Sequence, residues 1–230
     1  MRFKTSEAWR NSYPEAAVGI LALERVCNPR QHLDLEAKKD ALEQDLRRRF
    51  GENDRATLRS TPALRAYHDY YKRFKKSYHV QLQLESVAFK GKSIPRVAAL
   101  VEAMFMAELK NQLLTAGHDL AAVVQPISVE VANGNERYQR INGQQQRLKE
   151  GDMYIADAEG VMSSIIYGPD RRTQIRPETT SAIFTVYAPP GISQSSVLAH
   201  LDDIKGYVGL FSPDMNVLEK QVVLARGQSW

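Results

Sequence analysis

Apolar side chains fall into runs whose spacing separates strands from helices. Residues 16–26 carry Val18, Ile20, Leu21, Leu23 and Val26 behind the turn signal Tyr13-Pro14, and read as a strand. Asp34 to Phe50 places Leu35, Leu42, Leu46 and Phe50 at helical spacing. Acidic Asp34 and Glu36 open that helix, Arg47, Arg48 and Arg49 close it, and Gly51 is its stop. A second helix starts at Thr61-Pro62, with Thr61 as N-cap and Pro62 in the first turn, and buries Leu64, Tyr67, Tyr71 and Phe74. Pro95 to about Thr115 is a third. Its Val97, Leu100, Val101, Met104, Phe105 and Leu109 leave little polar surface, so it should be largely buried.

The pattern then turns to period two. Ile127 to Val131 alternates, Asn133-Gly134-Asn135 turns, and Arg137 to Ile141 returns, which predicts a hairpin. Met153 to Ala156 and Val161 to Tyr167 predict a second hairpin around Asp157 to Gly160. A polar loop runs from Gly168 to Thr180, then Ala182 to Tyr187 is a strand closed by Pro189-Pro190-Gly191. Ser193 to about Tyr207 reads as a helix and Val217 to Leu224 as a last strand. Helices and strands interleave without regular alternation, which favours an α+β layered fold over a doubly wound sheet. No linker or repeat divides the chain, so residues 1–230 read as one domain.

Composition narrows the classes. The chain has 230 residues, 43% hydrophobic and 25% charged, an ordinary globular balance that argues against disorder. The single cysteine, Cys27, excludes an internal disulfide and a Cys-rich zinc site, and reads as a small residue near a strand end. The N-terminal residues lack the apolar core of a secretory signal, and the apolar stretch Val97 to Leu109 is too short and too charged to span a bilayer. The expectation is a soluble cytoplasmic protein without a membrane partner. A net charge of +4 fits contact with an anionic ligand or phosphate.

Several motifs fail on spacing. Gly91-Lys92-Ser93 resembles the end of a phosphate loop, but Ser86 stands where the earlier glycine is required. Histidines 32, 68, 79, 118 and 200 form no zinc pattern on one helix face, so neither metal nor cofactor is expected. No nucleophile elbow and no dinucleotide loop occur. Two clusters remain: Gly117-His118-Asp119, and Asp170-Arg171-Arg172-Thr173. Adjacent arginines backed by hydroxyls suit a carboxylate or phosphate clamp, with an exposed, solvated turn as the alternative. The Lys72, Arg73, Lys75 and Lys76 cluster reads as a solvated helix end, with phosphate contact as its alternative.

From Glu15 to Leu224 the order of segments resembles a free-standing B3/B4 domain, the editing module of the bacterial phenylalanyl-tRNA synthetase beta subunit. The resemblance is carried by Tyr13-Pro14-Glu15 into the first strand, Tyr71-Lys72-Arg73-Phe74, and Lys90-Gly91-Lys92-Ser93-Ile94-Pro95 leading to Leu100-Val101-Glu102. Tyr154 to Val161, Asp170 to Ile175 and Glu178-Thr179-Thr180 complete it. It implies a three-layer β/β/α sandwich and hydrolysis of tyrosine wrongly attached to phenylalanine tRNA. The ester is already activated, so water needs only positioning and a stabilised oxyanion. On this resemblance Glu102 and Asp119 keep family acids, Ala116 stands at the family histidine, and Arg171 stands at the tyrosine-recognising glutamate. Arg171 would favour an anion over a phenol.

The candidate pocket is therefore Glu102, Asp119, Asp170, Arg171, Arg172 and Thr173, with His118 as candidate base, and Arg73, Lys76, Lys90 and Lys92 as candidate RNA contacts. Three functions stay open: a trans-acting hydrolase of mischarged aminoacyl-tRNA, a non-catalytic tRNA-binding module, and a binder of an amino acid or related anion.

Overall fold

A computed structural model describes residues 1–51 and 55–226. The elements are β1 (Phe3–Thr5), α1 (Glu7–Ser12), β2 (Ala17–Glu24), α2 (Leu33–Phe50), α3 (Arg55–Arg59), α4 (Pro62–Arg73), α5 (His79–Ala88) and α6 (Ala99–Asn111). Then come β3 (Leu114–Asp119), β4 (Ile127–Val131), β5 (Arg137–Gln139), β6 (Gln145–Arg147), β7 (Met153–Asp157) and β8 (Gly160–Ser164). β9 (Gly168–Pro169), β10 (Ser181–Ala188), α7 (Gln194–Phe211) and β11 (Asn216–Leu224) close the chain.

The fold is α+β. One sheet has the order β11-β2-β10-β3 and the other β1-β4-β7-β8-β9, while β5 and β6 form a separate ribbon. β2 and β10 are the inner strands of the first sheet, so both their faces are covered, and Ala17 to Leu23 are all buried. On one face lie α6 and α7. Thr115 of β3 meets His200 of α7 there at 2.7 Å. On the other face lies the five-stranded sheet, reached by the Tyr187 phenol, which donates to the Ser163 carbonyl at 2.8 Å. The result is the β/β/α layering that the resemblance implies.

α4 ties these layers together. Its Tyr67 phenol donates to the Tyr187 carbonyl and accepts the Leu114 N–H at 2.8 Å. Tyr70 donates to Asp152 at 2.8 Å and accepts the Met153 N–H at 2.6 Å. Tyr71 donates to the Ile165 carbonyl at 2.7 Å. Thr61 does occupy the N-cap, but its hydroxyl turns to Leu58 and Gln112 and makes no cap bond.

Two sequence expectations are corrected. The third helix is Ala99–Asn111 and does not run from Pro95 to Thr115. Gln112 adopts a left-handed conformation, φ 61°, which stops the helix, and Leu114–Asp119 then pairs with β10. Leu113, Leu114 and Ala116 suit a buried helix face as well as a strand, so periodicity alone carried the helix too far. The hairpin between Ile127–Val131 and Arg137–Ile141 does not form. β4 pairs with β7 and, in parallel, with β1, while β5 pairs with β6. Alternation states which residues share a face, not which strand lies alongside. The second hairpin, β7 with β8, forms as expected. β1, α1, α3 and α5 add to the expected elements.

Among the described residues, no helix is long and apolar enough to cross a membrane. One close approach depends on a missing side chain. A Cβ on Gly19 would lie 2.5 Å from Val197 Cγ1 and 3.2 Å from Val186 Cβ, so the glycine lets α7 sit against β2. Gly19→Ala should cost about 1–3 kcal/mol by overpacking. It should lower the urea midpoint, and Val197→Ala in the same chain should restore part of the loss.

Candidate functional site

One edge of the four-stranded sheet is β3, whose only further pairing among the described residues is the isolated bridge His118 to Gln174. Beside that edge opens a cleft of about 620 Å³, within the range of small-ligand sites. Val101, Met104 and Phe105 of α6 form one wall, Leu114 to Gly117 of β3 another, and Gly168, Pro169 and Ile175 a third. Gly117 keeps the space open, because a Cβ there would come within 2.9 Å of Ile175 Cδ1 and 3.2 Å of Met104 Sδ. Val97 and Ile141 stand at the cleft with 48% and 51% of their surface exposed, so the apolar lining reaches solvent. A second cleft of about 360 Å³ shares His79 and Phe105 with the first and carries Lys92 and Ser93.

The main cleft holds one acid. Glu108 is buried, and its Oε1 accepts the Thr115 N–H at 2.7 Å. Burial pushes its pKa up to about 8, so it is a neutral carboxylic acid at physiological pH. Sequence reasoning missed it. The only signal was an acid inside an otherwise apolar helical run.

The residues expected to form the site lie elsewhere. Glu102 points away from the cleft, onto Lys39 of α2 at 2.6 Å, and accepts the Val97 N–H at 2.8 Å. It is half of a buried ion pair and ties the chain just ahead of α6 to the first turn of that helix. His118 lies between the sheets with no exposed surface. Thr173 donates to Asp170, so the imidazole donates to Thr173 from Nδ1 at 2.7 Å and leaves Nε2 without a partner. Burial, aided by the Arg172 charge, lowers its pKa to about 3. Asp119 accepts the Ala121 N–H at 3.0 Å and the Thr179 hydroxyl at 2.8 Å. Arg172 grips Asp157 through two bonds of 2.9 and 2.7 Å. His118, Asp170, Arg172 and Thr173 are thus brought together, Asp119 is joined to them by its N–H to the Thr173 carbonyl, and none lines the apolar cleft.

The candidate RNA contacts form two groups. Arg73 packs its guanidinium 5.2 Å from the Tyr13 ring centre, and Lys76 sits 5.8 Å from that of Tyr167, beside the β9 wall of the cleft. Lys90 and Lys92 are exposed in the turn after α5.

The family profile described as B3/4 domain matches residues 65–203, which include most of α4, all of α5 and α6, both sheets' central strands after β2, and just over half of α7. The chain belongs to the B3/4 domain family. Among solved structures, this B3/4 domain is similar to an N-terminal fragment of the phenylalanyl-tRNA synthetase beta-subunit from Pyrococcus horikoshii. The two share 11% identity with a TM-score of 0.48, over 96% of this chain and 50% of that one. The B3/4 chain therefore spans half the length of that fragment. No curated protein matches it.

The buried groups set the pH response of the B3/4 fold. Burial holds Glu108 and Asp152 protonated up to about pH 8 and 7, and holds His118 and His200 neutral down to about 3 and 4. Unfolded, the acids ionise near pH ~4 and the imidazoles near ~6.5. Between those values the acids bind more protons when folded and the histidines more when unfolded, so their effects oppose. Above them only the acids act, and stability should fall as pH rises towards 8; below them the histidines act, and stability should fall with acid. Urea midpoints across pH should show both limbs, and Glu108→Gln should flatten the alkaline one. Separately, Glu102→Ala should cost about 1–3 kcal/mol, because it takes one of two carboxylates from the buried Lys39 and leaves the Val97 N–H without its acceptor, while Glu36 at 2.7 Å keeps the ammonium paired.

Proposed function

We propose that this chain is a single binding domain that receives an amino-acid-sized apolar group, carried as the acyl group on the 3′ end of a tRNA. The open apolar cleft with its one neutral acid carries this reading. Its volume and walls suit a side chain of that size, and Glu108 offers one hydrogen-bond partner. The B3/4 family membership supports the tRNA part, through the editing role that the resemblance implies. The adjoining cleft, with Lys92 and Ser93, leaves room for the nucleotide that follows the acyl group, and Lys76 lies near the other side. Binding is favoured over hydrolysis because His118, the candidate base, is sealed between the sheets.

Thermal unfolding of the full chain with a panel of non-hydrolysable aminoacyl-adenosine amides tests this. Apolar aminoacyl groups should raise the melting temperature, and charged ones should not. Val101→Trp, which fills the cleft from a half-buried position, should weaken binding about ten- to hundredfold. A flat panel overturns the reading. Free amino acid released from mischarged tRNA above the buffer rate would add turnover to binding.

A further inference from the structure

Outside the apolar cleft, arginine is the densest chemistry without an assigned task. Arg137 of β5 and Arg171, Arg172 and Arg176 of the β9–β10 loop border a cleft of about 440 Å³. Arg172 is already committed: it grips Asp157, donates to the Ala122 carbonyl at 3.0 Å, and has Glu159 at 3.5 Å. That bracing fixes its guanidinium at the cleft wall. No ion pair or side-chain hydrogen bond holds Arg137, Arg171 or Arg176 among the described residues, and all three are exposed. Two carboxylates line the same cleft. Asp170 is buried and turned onto Thr173, and Glu159 faces Arg172. Three guanidinium groups are therefore left without a counter-charge.

We propose that this cleft is a docking site for the phosphodiester backbone of a nucleic acid. Guanidinium forks match phosphate oxygens in a bidentate geometry that a lysine cannot reproduce. A lone phosphate would use only part of the site, because a neighbouring cleft of about 240 Å³ shares Arg172 and Arg176, adds Gln174, and has as its one carboxylate Asp119, which is turned onto the Ala121 N–H and the Thr179 hydroxyl. Two joined clefts on shared arginines suit consecutive phosphates. An acidic peptide would also need apolar anchoring, and Val161 is the sole aliphatic side chain in the larger cleft. The site is separate from the apolar cleft in its residues, so it does not depend on what fills that cleft.

Fluorescence anisotropy of a labelled single-stranded RNA, titrated with the full chain over a salt series, is the test. The triple variant Arg137→Ser, Arg171→Ser, Arg176→Ser should melt like the parent, since the removed side chains are exposed. It should bind at least about tenfold more weakly, with a log K against log salt slope shallower by about two, at ~0.7 per phosphate. Lys38→Ser with Arg65→Ser, exposed on α2 and α4 and outside every cleft described above, serves as the control and should leave that slope nearly unchanged. Unchanged affinity and slope in the arginine variant overturns the proposal. So does displacement of RNA by poly-glutamate at equal charge concentration, which would make the partner an acidic protein.

Discussion

Three phenols on one short helix hold the layers in register. Tyr67, Tyr70 and Tyr71 of α4 reach β3, β10, β7 and the end of β8, and each spends its hydroxyl on backbone or on a buried carboxyl. A buried phenol without such a partner would lose far more than a hydrogen bond between neutral groups gains. The geometry is therefore over-determined: the two sheets cannot slide past each other without stranding these oxygens. Stacking of Tyr67 on Tyr78 at 4.2 Å carries the same constraint to the start of α5.

This pinning explains where open space is left. With α4 and α5 fixed at one end and α7 laid across the centre, the free edge of β3 has only α6 and the β9 loop to cover it. The cleft is the gap between them. Its chemistry separates cleanly from that of the arginine loop. One site is apolar and nearly uncharged; the other is polar, cationic and braced by Asp157. The His118–Thr173–Asp170 chain lies between them and rigidifies the segment whose two ends serve both clefts.

Much of the fold was legible in the sequence, because β2, α2, α4, β10, α7 and β11 each carry a pattern strong enough to name the element. The strand β3 was not, since Leu113, Leu114 and Ala116 resume the apolar pattern after only Lys110-Asn111-Gln112, a polar triplet that the outer face of a continuing helix would also carry. Its state is decided by pairing with β10, a tertiary fact. The candidate site was less legible. Charged residues drew attention as ligands, yet Glu102 and Arg172 are saturated by Lys39 and Asp157, partners 63 and 15 residues away. Glu108 drew none, although it alone brings an acid into the main cleft. A sequence shows which groups can ionise. It does not show which are already neutralised by a neighbour brought near by folding.

The order β11-β2-β10-β3 also bears on synthesis. β2 is the most apolar strand, yet its two neighbours register against it as Asn216 to Glu24 and Ser181 to Glu24, from the far side of the chain. A nascent chain thus carries β2, apolar from Ala17 to Leu23, unpaired until Ser181–Ala188 has left the ribosome. Pairings so distant in sequence form slowly and leave such a segment open to wrong partners. For this protein the hazard window is set by translation time, and a chaperone that shields β2 would be felt as yield, not as activity.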